Sequence, residues 1–435
     1  MHIVVMDRLL YNDLLKWKEN PRRKPLILKG ARQVGKTWLL RHFGEHEYES
    51  VAYISCERHA NLDEVFSDFS AERMIRALSA LSQVDIKPGK TLVIIDEIQE
   101  YPRALTALKY FCEDAPDYHV AVAGSLLGVS MHQEISFPVG KVDFLTLHPL
   151  TFVEFVRAVG RPQAADAIER GDVGVLNSLT SFFEELLRQY YFVGGMPAVV
   201  RAFCEKAGPN EVRKIQRQIL SDYRNDFSKH VPAPHLPKVN LVWNDIPRQL
   251  AKENKKFQYS GLKRGGRAAE FELAIQWLAD AGLVHRVHRV SRVEMPLKFY
   301  EEQSVFKLFM LDVGLLGAMM DAPAAQVLVG DNVFREYKGA FTEEYVLTQL
   351  RALGKEAWYY GPNDSKIELD FVVQTEKGVL PIEVKAEENV RSKSLRTFVA
   401  KHPELLGVRY SMKPFVRQDW MVNLPLWNIR GIDAL

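Results

Sequence analysis

Gly30-Ala31-Arg32-Gln33-Val34-Gly35-Lys36-Thr37 is the stretch that decides how this chain is read. It satisfies G-x-x-x-x-G-K-[ST] at every defined position. The context also fits, because Leu26-Ile27-Leu28 predicts a short buried strand before it and Trp38-Leu39-Leu40 opens a helix after it. The residue types follow from the chemistry. Glycines let the backbone wrap a phosphate, and the loop N–H groups and helix N-terminus supply positive potential. Lys36 reaches the β- and γ-phosphates, and Thr37 offers a hydroxyl to Mg²⁺. The expected ligand is ATP with Mg²⁺, bound by Gly30, Ala31, Arg32, Gln33, Val34, Gly35, Lys36, Thr37 and Trp38.

Working outward, further short apolar runs rich in β-branched residues lie at 51–54, 91–95 and 120–123. Helix-length segments at 62–81 and 103–113 separate them, which predicts a mostly parallel α/β sheet buried on both faces. The run at 92–95 leads directly into Asp96-Glu97. Ligands of open α/β sheets sit at the C-terminal strand ends, so Asp96 is placed to hold the metal and Glu97 to polarise an attacking water. Ser125 follows the strand at 120–123, where it is either a sensor of the γ-phosphate or a helix cap. Gln99 has two readings as well, nucleotide contact or turn cap. Arg103, Lys141 and Arg157 are candidate cations for neutralising charge that develops during hydrolysis.

Beyond His148-Pro149-Leu150-Thr151 the pattern becomes helical, at 177–191 and 210–227. Pro232, Pro234 and Pro237 then break the chain. A helix at 270–281 ends at Gly282 and is followed by extended pieces at 284–290 and 297–300, the pattern of a winged-helix unit. Lys252, Lys255, Lys256, Lys263, Arg264 and Arg267, with Phe257 and Tyr259 between them, are either phosphate contacts for DNA or a solvated face. The last region predicts a helix at 341–353, strands at 368–374 and 379–385 joined through Lys377-Gly378, and a helix at 395–401.

That last region carries a second set of candidates. Glu383 and Lys385 share one face of a strand, Asp370 lies on the preceding strand, and Glu343 lies on a helix four and seven residues before Leu347 and Leu350. Such a set either holds Mg²⁺ against a phosphodiester or is an edge strand with a salt bridge.

The bulk numbers agree with a soluble multidomain protein. There are 435 residues, 47% hydrophobic and 26% charged, with a formal charge of +2 that does not demand a polyanion partner. The three cysteines have no metal-ligand spacing, which fits a reducing compartment. With no signal-peptide pattern and no membrane-spanning run, the expected location is cytoplasmic, away from the membrane.

The ordered succession of motifs resembles the prokaryotic AAA-type ATPases that join a P-loop domain to a C-terminal DUF4143 domain. It runs from the P-loop through Asp96-Glu97-Ile98-Gln99, Ala123-Gly124-Ser125 and residues 148–155 to Tyr191-Phe192-Val193-Gly194-Gly195-Met196-Pro197. Further matches are Trp277-Leu278 with Ala281-Gly282-Leu283, Leu311-Asp312-Val313-Gly314-Leu315, residues 339–346, Glu368-Leu369-Asp370-Phe371-Val372 and Pro381-Ile382-Glu383-Val384-Lys385. The resemblance covers nearly the whole chain.

It implies an α/β, AAA-like ATPase core over residues 1–160, a helical lid at 161–237, a winged-helix region at 238–325 and a PD-(D/E)xK nuclease-like domain at 326–435. Lys36, Thr37, Asp96, Glu97 and the sensor Ser125 would carry the nucleotide chemistry. Glu343, Asp370, Glu383 and Lys385 would form the nuclease-like constellation. Where many relatives read Gly-Arg before the His-Pro-Leu segment, this chain has Gly140-Lys141, and a lysine is a weaker finger than the rigid arginine fork. The leading expectation is an ATP-driven switch acting on the C-terminal regions, with DNA, a protein partner or a second copy of the chain as candidate partners. The alternatives are an ATP-licensed nuclease and a nucleotide-dependent scaffold with little turnover.

Overall fold

Strands of four to six residues with continuous apolar side chains need cover on both faces, and the first sheet has it. The computed structural model describes residues 6–58, 62–124, 138–252, 255–329, 335–362, 367–386 and 392–435. They fall into two compact units, one of Asp7–His148 with Asp280–Gly282 and one built from Pro149–Ala279 and Leu283–Leu435.

The first unit is a parallel sheet of β1 (Leu26–Lys29), β2 (Ser50–Ser55), β3 (Thr91–Asp96), β4 (His119–Ala123) and β5 (Asp143–Thr146), in the order β2-β3-β4-β1-β5. Side chains alternate across it. Ile27, Ile54, Val93, Ile95, Val120 and Val122 pack with Met74 and Leu78 of helix Ala71–Ser82 and with Leu105, Leu108 and Phe111 of helix Pro102–Asp114. Each such residue, fully buried, contributes about 1.5–3 kcal/mol. Helix Lys36–Glu47 buries Leu39, Leu40 and Phe43, and lies close to β2 and β3 at Gly44, where a Cβ would stand 2.7 Å from Val51 Cγ2. Helix Tyr11–Glu19 precedes β1 and buries Leu14 and Trp17.

The second unit opens with helices. Thr151 and Glu154 form a reciprocal cap on helix Phe152–Ala158. Helix Thr180–Val193 ends at Gly194-Gly195, where the chain is locked by Asp312. Asp312 Oδ2 accepts the Gly195 N–H at 2.6 Å and Oδ1 accepts the Leu315 N–H at 2.9 Å. Gly194 has φ +74°, and a Cβ on Gly195 would stand 2.1 Å from the Leu150 carbonyl oxygen, so the glycine pair is required by close approach as well as by backbone conformation.

Helix Leu236–Leu250, a single bridge between Lys256 and Lys307, helices Tyr259–Leu262 and Ala268–Asp280, and an antiparallel hairpin then follow. The hairpin pairs β6 (Val284–Val290) with β7 (Glu301–Met310). The expected second strand at 297–300 is instead a 3₁₀ turn, and the true strand starts at the polar run Glu301-Glu302-Gln303-Ser304, which carries little apolar alternation.

The hairpin is not a free-standing wing. It forms one end of an eight-stranded sheet with β8 (Ala357–Tyr360), β9 (Leu369–Thr375), β10 (Gly378–Lys385), β11 (Gly407–Ser411), β12 (Val416–Arg417) and β13 (Met421–Pro425), in the order β12-β13-β11-β10-β9-β8-β6-β7. The sheet therefore crosses residue 325, through pairing of β6 with β8 at Arg289 and Tyr359. Helix Arg335–Ala352 packs against β8 and β10, so Glu343 meets the sheet that bears Asp370 and Glu383. No helix among the described residues is long and apolar enough to cross a membrane.

Candidate functional site

Because β4 lies between β1 and β3, the loop after β1 and the carboxylates ending β3 share the C-terminal edge of the sheet, two strand spacings or roughly 9.5 Å apart. The loop and the start of helix Lys36–Glu47 close that gap. Thr37 Oγ1 donates to Asp96 Oδ2 at 2.8 Å. The loop backbone depends on its glycines: Gly30 has φ +146° and Gly35 φ +95°, and a Cβ on Gly30 would sit 2.3 Å from the Leu147 carbonyl oxygen. Gln33 also takes a left-handed φ of +67°. Buried Arg8 braces the loop, donating to Val34 O at 2.9 Å and His148 O at 2.5 Å.

Lys36 is buried, and its ammonium donates to Gly30 O and Ala31 O, each at 2.9 Å. Burial lowers its pKa to about 8, partly opposed by Glu97 and Asp96, while Arg32 pushes it further down. Asp96 accepts a second bond on Oδ2 from Tyr53 OH at 2.9 Å. Glu97, in a left-handed conformation at φ +53°, accepts from Gln99 Nε2 on Oε2 at 2.7 Å. This donor set suits a magnesium-bound triphosphate: N–H groups and an ammonium for phosphate, a hydroxyl and a carboxylate for the metal's shell, and a second carboxylate one residue on for water.

Ser125 lies outside the described residues. Lys141 precedes β5 and pairs with Glu113 at 2.9 Å, at the N-terminal edge of the sheet. The four residues of β5, about 13 Å of strand, separate it from the edge carrying the P-loop, so it does not line that site within its own chain. Arg103 donates to Ser67 O, and Arg157 bonds Asp166 and Glu169.

In the second unit, Glu343, Asp370, Glu383 and Lys385 do converge, together with Lys255 of the basic stretch, Glu368, and Lys307, which the sequence did not single out. Lys255 Nζ bonds Glu343 Oε1, Lys307 Nζ bonds Glu368 Oε1 at 2.8 Å, and Lys385 Nζ bonds Glu383 Oε1 at 2.7 Å. Asp370 Oδ2 accepts the Val384 N–H at 2.7 Å. Burial, then the charge of Glu343, pushes the Asp370 carboxyl up. For Glu343 burial acts in the same sense, but the ammonium groups of Lys255 and Lys307 outweigh it and hold that carboxyl down. Among the described residues no three His, Cys, Asp or Glu side chains form a group able to hold a metal. Lys255, Lys307 and Lys385 thus each pair with a carboxylate of this cluster.

An AAA domain profile matches residues 22–156, the segment that carries this P-loop, and a DUF4143 profile matches residues 338–429. The chain joins an AAA domain to a DUF4143 domain. Between them a further domain of unknown function, DUF8612, matches residues 184–326. No curated protein matches the sequence. Among solved structures, C. elegans PCH-2 is 14% identical with a TM-score of 0.25, over 36% of this chain and 47% of that one. The Thermotoga maritima RuvB Holliday junction branch migration motor is 14% identical with a TM-score of 0.30, over 65% and 90%. A Pyrococcus horikoshii STAND protein with a tetratricopeptide repeat sensor is 11% identical with a TM-score of 0.28, over 78% and 44%. The chain thus spans about half the length of the first.

In the first unit, Arg8 and Tyr53 are residues the sequence did not single out. Their signals were weak because each acts at long range, Arg8 on Val34 and Tyr53 on Asp96. Neither has a motif of its own. In the second unit, Lys307 lies between Phe306 and Leu308 on a strand that reads as core.

Proposed function

We propose that this chain binds ATP with Mg²⁺ at the P-loop, hydrolyses it, and uses the cycle to switch its C-terminal unit. The observation that carries the reading is the Thr37–Asp96 hydrogen bond at 2.8 Å with Glu97 next in sequence, because it brings the two metal-shell groups and the water-activating carboxylate to one strand end. ATP and Mg²⁺ supply the phosphoanhydride and its charge neutralisation. The protein's own part is to cradle phosphate with the loop N–H groups and Lys36, to orient the metal's shell with Thr37 and Asp96, and to take a proton at Glu97. Gln99 holds the Glu97 carboxylate and sets its availability.

The succession of helix, Lys256–Lys307 bridge, two helices and hairpin favours a winged-helix arrangement within the second unit. Support for DNA is thinner there. Lys255 and Lys263 are engaged by Glu343 and Glu270, and helix Ala268–Asp280 carries Glu270 and Glu272 without a basic residue. Steady-state hydrolysis with and without duplex and single-stranded DNA tests both parts. Turnover that requires Glu97 supports the ATPase, and indifference to DNA assigns the switch to a protein partner. Tight ATP binding without turnover would replace the ATPase with a nucleotide-gated scaffold.

A further inference from the structure

A cation site made of oxygen donors needs several carboxylates facing a common space, each with an oxygen left for the ion. The cluster on β7, β9, β10 and helix Arg335–Ala352 has the carboxylates, but the cations its glutamates meet are lysines of this chain. Lys307 comes from within β7, is buried at 1% exposure, and lies over the Tyr359 ring at 4.8 Å besides bonding Glu368. Lys255 immediately precedes Lys256, which bridges to Lys307, so this backbone pairing brings Lys255 alongside Lys307 at the cluster. Glu343 Oε2 and Glu383 Oε2 are buried with no hydrogen-bond partner among the described residues, which leaves each carboxylate dependent on the lysine at its other oxygen.

We infer that Lys307 and Lys255 stand where a divalent cation would, so that the cluster is neutralised from within and takes no metal while both are in place. Lys307 is the fixed member, held by strand pairing on both sides of its position in β7. Lys255 is the exchangeable one, since its backbone belongs to no helix or strand. Losing either leaves buried carboxylates short of positive charge, and a hard, oxygen-preferring ion such as Mg²⁺, Mn²⁺ or Ca²⁺ is the replacement that this donor set would accept. The inference concerns the second unit alone and does not rest on ATP hydrolysis.

The test is Mn²⁺ binding, followed by electron paramagnetic resonance of free Mn²⁺, on the full chain without nucleotide, alongside thermal melting with and without Mn²⁺. Wild type is expected to bind no Mn²⁺ that depends on Asp370, and its Tm should not respond to Mn²⁺. Lys255→Met and Lys307→Met are expected to melt lower, to be raised again by Mn²⁺, and to bind it at least tenfold tighter than wild type, with the gain abolished by adding Asp370→Asn. Should Lys307→Met fail to fold, Lys255→Met carries the test. Submillimolar Mn²⁺ binding by wild type that Asp370→Asn or Glu383→Gln removes would overturn the inference. So would the absence of any gain in a folded Lys255→Met protein.

Discussion

Gln99 Nε2 donates to Glu97 Oε2 at 2.7 Å, which ties the carboxylate proposed to activate water to a side chain two residues further on. A neutral amide can hold Glu97 without taking its charge, so the contact is a positioning one. Gln99→Leu is expected to lower kcat about tenfold, within the range of losing one hydrogen bond to a charged group, while leaving the Kd for ATP within twofold. Rapid-quench and equilibrium binding measurements separate the two, and an equal change in both would remove the positioning role.

Lys36 makes ATP affinity depend on pH. Its folded pKa is lowered from 10.5 to about 8, so the nucleotide-free protein loses this ammonium as pH rises through 8, whereas bound phosphate favours the charged form. Binding should therefore take up a proton above pH 8, and affinity should fall by up to tenfold per unit between pH 8 and 10. Calorimetry at pH 7 and 9 in buffers of different ionisation heat reads the proton directly. For stability the sign is reversed: a lowered lysine pKa means the folded chain binds fewer protons, so this group's contribution rises between about pH 8 and 10.5.

Asp312 gives the opposite kind of window. Burial raises its pKa from 3.8 to about 6, against the bonds from Gly195, Leu315 and Gly314 that favour the carboxylate. The folded state holds the extra proton between these values, so the contribution of Asp312 to stability is present below about pH 4 and lost as pH rises through 6. A shift of this size corresponds to roughly 3 kcal/mol. The difference in stability between wild type and Asp312→Asn, from urea melts at pH 4 to 7, should show that slope and flatten above it.

Gly195→Ala is expected to be among the most disruptive substitutions outside the nucleotide site. The added Cβ would meet the Leu150 carbonyl oxygen at 2.1 Å, and Leu150 N also donates to Gly195 O, so the backbone cannot move aside without breaking that bond. A loss of about 2–4 kcal/mol in a urea melt is expected. A loss under 0.5 kcal/mol would mean the turn adapts freely.

What was legible in the sequence follows from how local each signal is. The P-loop and the Asp96-Glu97 pair are contiguous stretches bounded by apolar strands, and both reach the same sheet edge. The polar start of β7 conceals the hairpin's second strand, and the short stretch Leu297–Tyr300 imitates it. Lys141 was chosen for its place in the chain, but strand direction puts it at the other edge, beside Glu113. The charge balance of the C-terminal cluster was hidden for a different reason. Lys255 and Lys307 come from segments far from Glu343 and Asp370, and long-range pairing, of β7 with β6 and of Lys256 with Lys307, brings them together.

The most direct test of the central claim is steady-state phosphate release from ATP and Mg²⁺ by wild type, Glu97→Gln and Lys36→Ala, with ATP binding measured in parallel. The predicted result is turnover in wild type, a loss of at least a hundredfold in Glu97→Gln with binding retained, and loss of binding in Lys36→Ala. Turnover or binding that persists unchanged in Lys36→Ala would contradict a nucleotide site at this P-loop.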